Sequence, residues 1–325
     1  MTRTRIAALL AAFAMLSGAL GGARGAQAEL DVSELYKDRD VNMAWDADEV
    51  TVIDLDKVSG DAVTLTEDGD YLLSGTLSGQ IIVNAGKDAK IRLILNGVTI
   101  TGKDGPAVWE KQGDKLIVTL VPGTENSLTA GSPVSDNSDM IGAALYAEDD
   151  LSINGEGSLT AVSAESNGIQ SKADLIVAGG RIQITSGKDG LRGRNSLLML
   201  DGSVTVASMG DGFSSNRNSR LDKGWILIAG GTISIVTGGG AGRASASSDV
   251  SRKGVKAETS LTVLDGTLSI DAEDDGLHAE NIAIRGGTVT IATGDEGIQA
   301  DSFLEITGGT IEVSQAGKGR QVFNP

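Results

Sequence analysis

The residues best able to do chemistry recur immediately before a glycine. Asn167, Asp189, Asp211, Lys253, Asp275, Glu296 and Lys318 all hold that position, and the glycines at 168, 190, 212, 254, 276 and 297 are spaced 22, 22, 42, 22 and 21 residues apart. So regular a spacing stacks the residues before them into one column, with Asp189 beside Asp211 and Asp275 beside Glu296. Two carboxylates about 5 Å apart at a wet corner repel by roughly 1 kcal/mol. Asp274 and Asp295 double the load, and Glu273 adds to it. Such a patch asks for a counter-ion, and Ca2+, which accepts about six to eight oxygens in flexible geometry, suits it. The expected metal ligands are therefore Asp189, Asp211, Asp274, Asp275, Asp295 and Glu296. A competing reading makes the column a solvated acidic rim, because Asp and Asn favour the turn before glycine. That reading holds equally well for the single acids, whereas the doubled acids favour the metal.

Two residues after each glycine runs a second column: Tyr146, Gln170, Arg192, Ser214, Lys256, His278 and Gln299, with Trp109 aligned on Tyr146. Planar amide and guanidinium groups suit sugar hydroxyls, and rings suit sugar faces, so these eight residues are the expected lining of a polysaccharide groove. Solubility alone would also make outward positions polar. His278 could act as a base beside Asp275 or simply be a surface histidine. Catalytic signatures are thin. A lyase base could be sought in Arg192, Arg194 or Lys256, and a carboxylate pair for glycoside hydrolysis in Asp189, Asp211 or Asp275. With 44 acids in the chain, neither search is specific. No Ser/His/Asp order, P-loop or histidine-based metal motif occurs. The absence of cysteine excludes disulfides, thiolate metal sites and a thiol nucleophile.

The elements that position these columns follow from the same period. Glycine pairs recur at Gly179-Gly180, Gly230-Gly231, Gly286-Gly287 and Gly308-Gly309, flanked by alternating apolar residues such as Ile282 and Ile284 before and Val289 and Ile291 after. That alternation has the strand period of two, and each repeat reads as three short strands between glycine corners. One unit cannot bury its apolar face alone, so the chain must coil and stack turn on turn. The expected fold is all-β: a right-handed, single-stranded parallel β-helix (a solenoid) of about 22-residue turns, the hand following the usual crossover preference. Leu145, Ile169, Leu191, Phe213, Val255, Leu277 and Ile298 should line an inner row. The anomalous step of 42 is one repeat with 20 inserted residues, placed in polar loops around Arg217–Gly224 and Thr237–Arg252. The expected division is 1–28 signal peptide, 29–60 a cap over the open end, and 61–325 the β-helix.

Composition agrees with that plan. Of 325 residues, 45 are glycine and only 4 proline, with 40% hydrophobic and 3% aromatic, so the core must be aliphatic. Arg3 and Arg5, the apolar run Ile6–Leu20 and the small-residue site Ala26-Gln27-Ala28 form a signal-peptide pattern with cleavage after Ala28. Removing it leaves 24 basic against 44 acidic residues, a net charge of −20 over 297 residues. That charge disfavours nucleic acid, whose phosphates need clustered Lys and Arg. The expectation is a secreted or periplasmic monomer without a stable membrane anchor.

Tyr71-Leu72-Leu73-Ser74-Gly75-Thr76-Leu77, Leu95-Asn96-Gly97-Val98-Thr99-Ile100, Gly123-Thr124-Glu125-Asn126-Ser127-Leu128, Asp189-Gly190-Leu191 and Lys253-Gly254-Val255-Lys256-Ala257 carry a resemblance. In that order, across about Val63 to Val313, the chain resembles a secreted bacterial carbohydrate-binding parallel β-helix family that binds cellulose and acidic sugars and is related in fold to pectate lyases. The resemblance implies bound calcium and a polysaccharide partner, held without cleavage. The alternatives are a calcium-dependent, pectate-lyase-like polysaccharide lyase and a structural or adhesive surface β-helix. The chain departs from the family in its short Gly/Ser insertion and in Lys253 and Lys318, which interrupt the acidic column.

Overall fold

The computed structural model describes residues 30–136, 139–220, 222–243 and 249–317. The expected signal peptide, Lys318 and the centre of the second inserted loop, 244–248, lie outside the described residues. Among them nearly all regular structure is strand. One long sheet joins 27 strands through parallel pairings, and a separate antiparallel hairpin pairs Val134–Asp136 with Asp139–Ile141.

Each repeat supplies three strands, and each strand pairs with its equivalent one repeat later. Ile169–Ser171, Asp174–Val177 and Arg181–Ser186 lie in register with Leu191–Gly193, Ser196–Met199 and Ser203–Ser208. Alternation explains which side faces in: Ile182 and Ile184 are buried while Arg181 and Gln183 are exposed. The inner row forms as expected. From Leu145 to Leu277 its members are fully buried, and Ile298 packs partly buried against the same core. The inserted residues leave the ladder intact. Ser196 pairs with Trp225, 29 positions on, and Thr232 with Thr267, 35 on, so one loop absorbs seven extra residues and the other thirteen.

The corner glycines answer to crowding. A Cβ on Gly190 would lie 2.6 Å from the carbonyl oxygen of Gly212, and one on Gly212 would lie 2.5 Å from that of Gly254. Only a residue without a side chain lets consecutive turns approach that closely.

The amino-terminal segment differs from a simple end cap. Thr51–Asp54 does sit at the end of the stack, paired with Tyr71–Ser74. Leu30–Ala44 instead runs along the side of the coil as a strap. Leu35 packs on Ile176, Leu198 and Leu227 from three successive turns. Asp40 accepts a hydrogen bond from Ser152 Oγ at 2.7 Å and pairs with Lys115, and Arg92 donates to the Ala44 carbonyl at 2.5 Å. The reason lies in the middle strands. Ser196–Met199 is buried along its whole length, so its outward apolar residues need a cover.

Candidate functional site

The column before the corner glycines is first of all a ladder between turns. The backbone N–H of Asp189 donates to Asn167 Oδ1 at 3.0 Å, that of Asp211 to Asp189 Oδ1 at 3.1 Å, that of Lys253 to Asp211 Oδ1 at 2.8 Å, and that of Glu296 to Asp275 Oδ1 at 3.1 Å. Other groups meet the same carboxylates. Asp189 Oδ2 accepts from Ser214 Oγ at 2.8 Å and lies 3.7 Å from Arg192 Nη1. Asp211 Oδ1 accepts from Ser251 Oγ at 2.7 Å, and Asp211 Oδ2 lies 3.9 Å from Lys256 Nζ. Burial, reinforced by the Asp189 charge, pushes the Asp211 carboxyl up to about 6.

The doubled acids form a tighter group. One oxygen each from Asp274, Asp275 and Asp295 lie within 4.8 Å of one another. Glu296, also expected as a ligand, is outside that trio, as are Asp189 and Asp211. Lys253, which on sequence alone interrupts the column, supplies the counter-charge: its Nζ lies 2.9 Å from Asp274 Oδ2 and closer still to Asp275 Oδ2. His278 Nδ1 is 2.9 Å from Asp275 Oδ2, and its Nε2 is 3.5 Å from Asp301 Oδ2. Burial works to raise the Asp275 carboxyl, but the hydrogen bonds from His278 and Lys253 outweigh it and hold the group well below the usual carboxylate range. The three acids offer an all-carboxylate donor set of the kind hard cations take, and the Lys253 ammonium offsets part of its charge through Asp274 and Asp275.

Of the eight residues expected to line a groove, seven follow each other in register from Tyr146 to Gln299, and Trp109 pairs with Tyr146. Gln170, Arg192, Lys256, His278 and Gln299 keep partial exposure along this ridge. The two rings expected in the groove lining do not present their faces to it. Trp109 and Tyr146 are only 7% and 1% exposed, packed with Ile141, Ala143 and Val134 at the separate hairpin. Two adjacent rings bury more apolar area under a hairpin than in water. Tyr146 turns its hydroxyl to Glu148 Oε2 at 2.8 Å. Ser214 is buried as well, turned to Asp189.

Sequence reasoning missed two features. Glu110 is completely buried, and burial pushes it up to about 7 even though the N–H groups of Glu148 and Asp149 donate to its Oε2 at 2.8 and 3.0 Å. Its other oxygen has no hydrogen-bond partner. An acid in the frame Val108-Trp109-Glu110, at the inward register of Ala147, was the available signal. The second is a cleft beside Trp45, whose signal was a tryptophan among acids in the non-repeating segment.

Comparison with known proteins bears on this geometry. The pattern of the carbohydrate-binding domain-containing protein family matches residues 59–250, 230–297 and 251–323. A carbohydrate-binding domain-containing protein of Acetivibrio thermocellus is 33% identical over 184 residues, which cover 54% of this chain and 64% of that relative. The match thus spans less than two thirds of the relative's length. The gadolinium derivative of a polysaccharide lyase-like protein from C. thermocellum superposes with a TM-score of 0.61 at 26% identity, covering 80% of this chain and 98% of that one.

Proposed function

Because the chain belongs to the carbohydrate-binding domain family, we propose that it is an exported, monomeric protein that binds a polysaccharide without cleaving it. The coil is read as right-handed with turns of about 22 residues, on the crossover preference and the register steps. Its ridge of partly exposed Gln170, Arg192, Lys256, His278 and Gln299 gives an extended polymer a row of hydrogen-bonding groups along successive turns.

The observation that carries the non-catalytic reading is the state of Arg192 and Lys256 on the ridge and of Lys253 in the neighbouring column. Elimination from a polyuronate needs a base that gives up its proton easily. Here Arg192 lies against Asp189, Lys256 faces Asp211, and Lys253 sits between Asp274 and Asp275. Burial works to lower the Lys253 ammonium, yet its hydrogen bonds to Asp275 and Asp274 raise it above its ordinary value. That is the opposite of what a base requires.

Calcium is the proposed cofactor, with Asp274, Asp275 and Asp295 as the residues that would hold it in exchange for the Lys253 ammonium. The donor chemistry supports a hard cation, and gadolinium, used on the similar C. thermocellum protein, is one. When bound, the ion would supply positive charge to which a sugar carboxylate could add its oxygens. Affinity electrophoresis in polygalacturonate tests the reading. Migration should be retarded with calcium, less so with a chelator, and less in the Arg192→Ala variant. Unretarded migration of the wild type in this gel and in a neutral-glucan gel would remove the carbohydrate reading.

A further inference from the structure

Where the strap turns into the first strand, a cleft of about 620 Å³ opens, lined by Trp45, Asp46, Glu49, Gly69 and Asp70 among others. Its size falls within the roughly 300–1,000 Å³ typical of small-molecule sites. The cleft is held from behind. Arg92 donates to the Ala44 carbonyl at 2.5 Å, and its Nε lies 3.5 Å from Asp70 Oδ1, with the arginine side chain only 12% exposed. One guanidinium thereby ties the chain next to Trp45 to the coil wall. The loop is also closed on itself, because the Val50 N–H donates to the Asp46 carbonyl at 3.0 Å. The cleft is open beside Gly69: apart from the flanking residues, no atom lies within 4 Å of the point its Cβ would occupy. Trp45 lines the cleft and is half-buried, so part of its surface stays accessible.

These groups select a ligand class. An indole ring offers its face to the C–H face of a sugar. Carboxylates at the rim accept hydroxyl hydrogens in charge-assisted bonds. Asp46 and Glu49, whose charges Arg92 does not meet as it meets that of Asp70, repel a sugar that carries its own carboxylate. We propose that the Trp45 cleft is a subsite for a neutral sugar unit, separate from the acidic column and independent of a metal. The inference rests on the carbohydrate-binding reading and adds to it a place and a charge class.

The test is calorimetric titration of the mature protein with neutral cello-, manno- and xylo-oligosaccharides in chelator, and with oligogalacturonate in calcium. Wild type should bind at least one neutral oligosaccharide in chelator. Trp45→Ala should weaken that binding by about tenfold, and Trp45→Phe by less. Glu49→Gln, a surface change, should also weaken it and serves as the deciding variant if Trp45→Ala does not fold. Oligogalacturonate binding should not change in any of the three. Neutral binding that survives both Trp45→Ala and Glu49→Gln overturns the cleft and leaves carbohydrate binding standing. Wild type that binds only oligogalacturonate does the same, and wild type that binds neither sugar overturns both readings.

Discussion

Lys253 and Glu110 make opposite electrostatic statements. Lys253 pairs with Asp274 and Asp275, two of the three acids proposed to hold calcium, so its ammonium would compete with the ion. Removing its charge in Lys253→Gln should increase the rise in melting temperature that calcium produces, by mass action on the folded state. Asp275→Ala should abolish that rise, and a melting curve indifferent to calcium in wild type and Lys253→Gln alike would eliminate the metal. Glu110 is held near 7 by burial, against about 4.5 in an exposed chain. Its raised value favours the protonated form of the folded protein. The associated stability is full below about 4.5 and is lost as pH rises through about 7. Glu110→Gln should therefore stabilise the protein at pH 8 by about 1–3 kcal/mol and flatten the dependence of melting temperature on pH between 5 and 8. Denaturant titrations across that range check the sign. At this scale sequence spacing located the acids but not their partners. That Lys253 bends onto the next turn's carboxylates, rather than merely breaking their column, depends on side-chain direction, which the period does not carry.

The strap and the hairpin decide how much of the coil meets water. Leu35 covers Ile176, Leu198 and Leu227, and Leu35→Ala should cost about 2–3 kcal/mol in chemical denaturation. An equal effect from changing an exposed strap residue would mean the strap is not docked in solution. Trp109 belongs to the core beneath the hairpin, so Trp109→Ala should lower the melting temperature and leave neutral-sugar binding intact. Selective loss of that binding, with stability unchanged, would restore the ring-platform expectation. The repeats were legible because Gly190 and Gly212 must lack side chains wherever turns touch, which prints the period on the chain. Strap and hairpin were not legible, since nothing periodic links Leu35 to Leu198 or Ile141 to Trp109. The outward apolar residues Ile176, Leu198 and Leu227 were the trace of a missing cover.

On the scale of the whole molecule, a chain with net charge −17, or −20 once the expected signal peptide is removed, should repel an acidic polymer through its overall field. Binding of such a polymer thus needs a local remedy, either a bridging cation or the guanidinium of Arg192, whereas a neutral polymer needs neither. The long parallel coil supplies the other requirement, a ridge that repeats with each turn as a polysaccharide repeats with each sugar. The central claim, binding without cleavage, is tested most directly by incubating the chain without residues 1–28 with polygalacturonate and calcium while following ultraviolet absorbance and polymer retention together. Expected is retention of the polymer with no growth of unsaturated product. Sustained, enzyme-dependent formation of that product would contradict the claim and assign the ridge to a lyase.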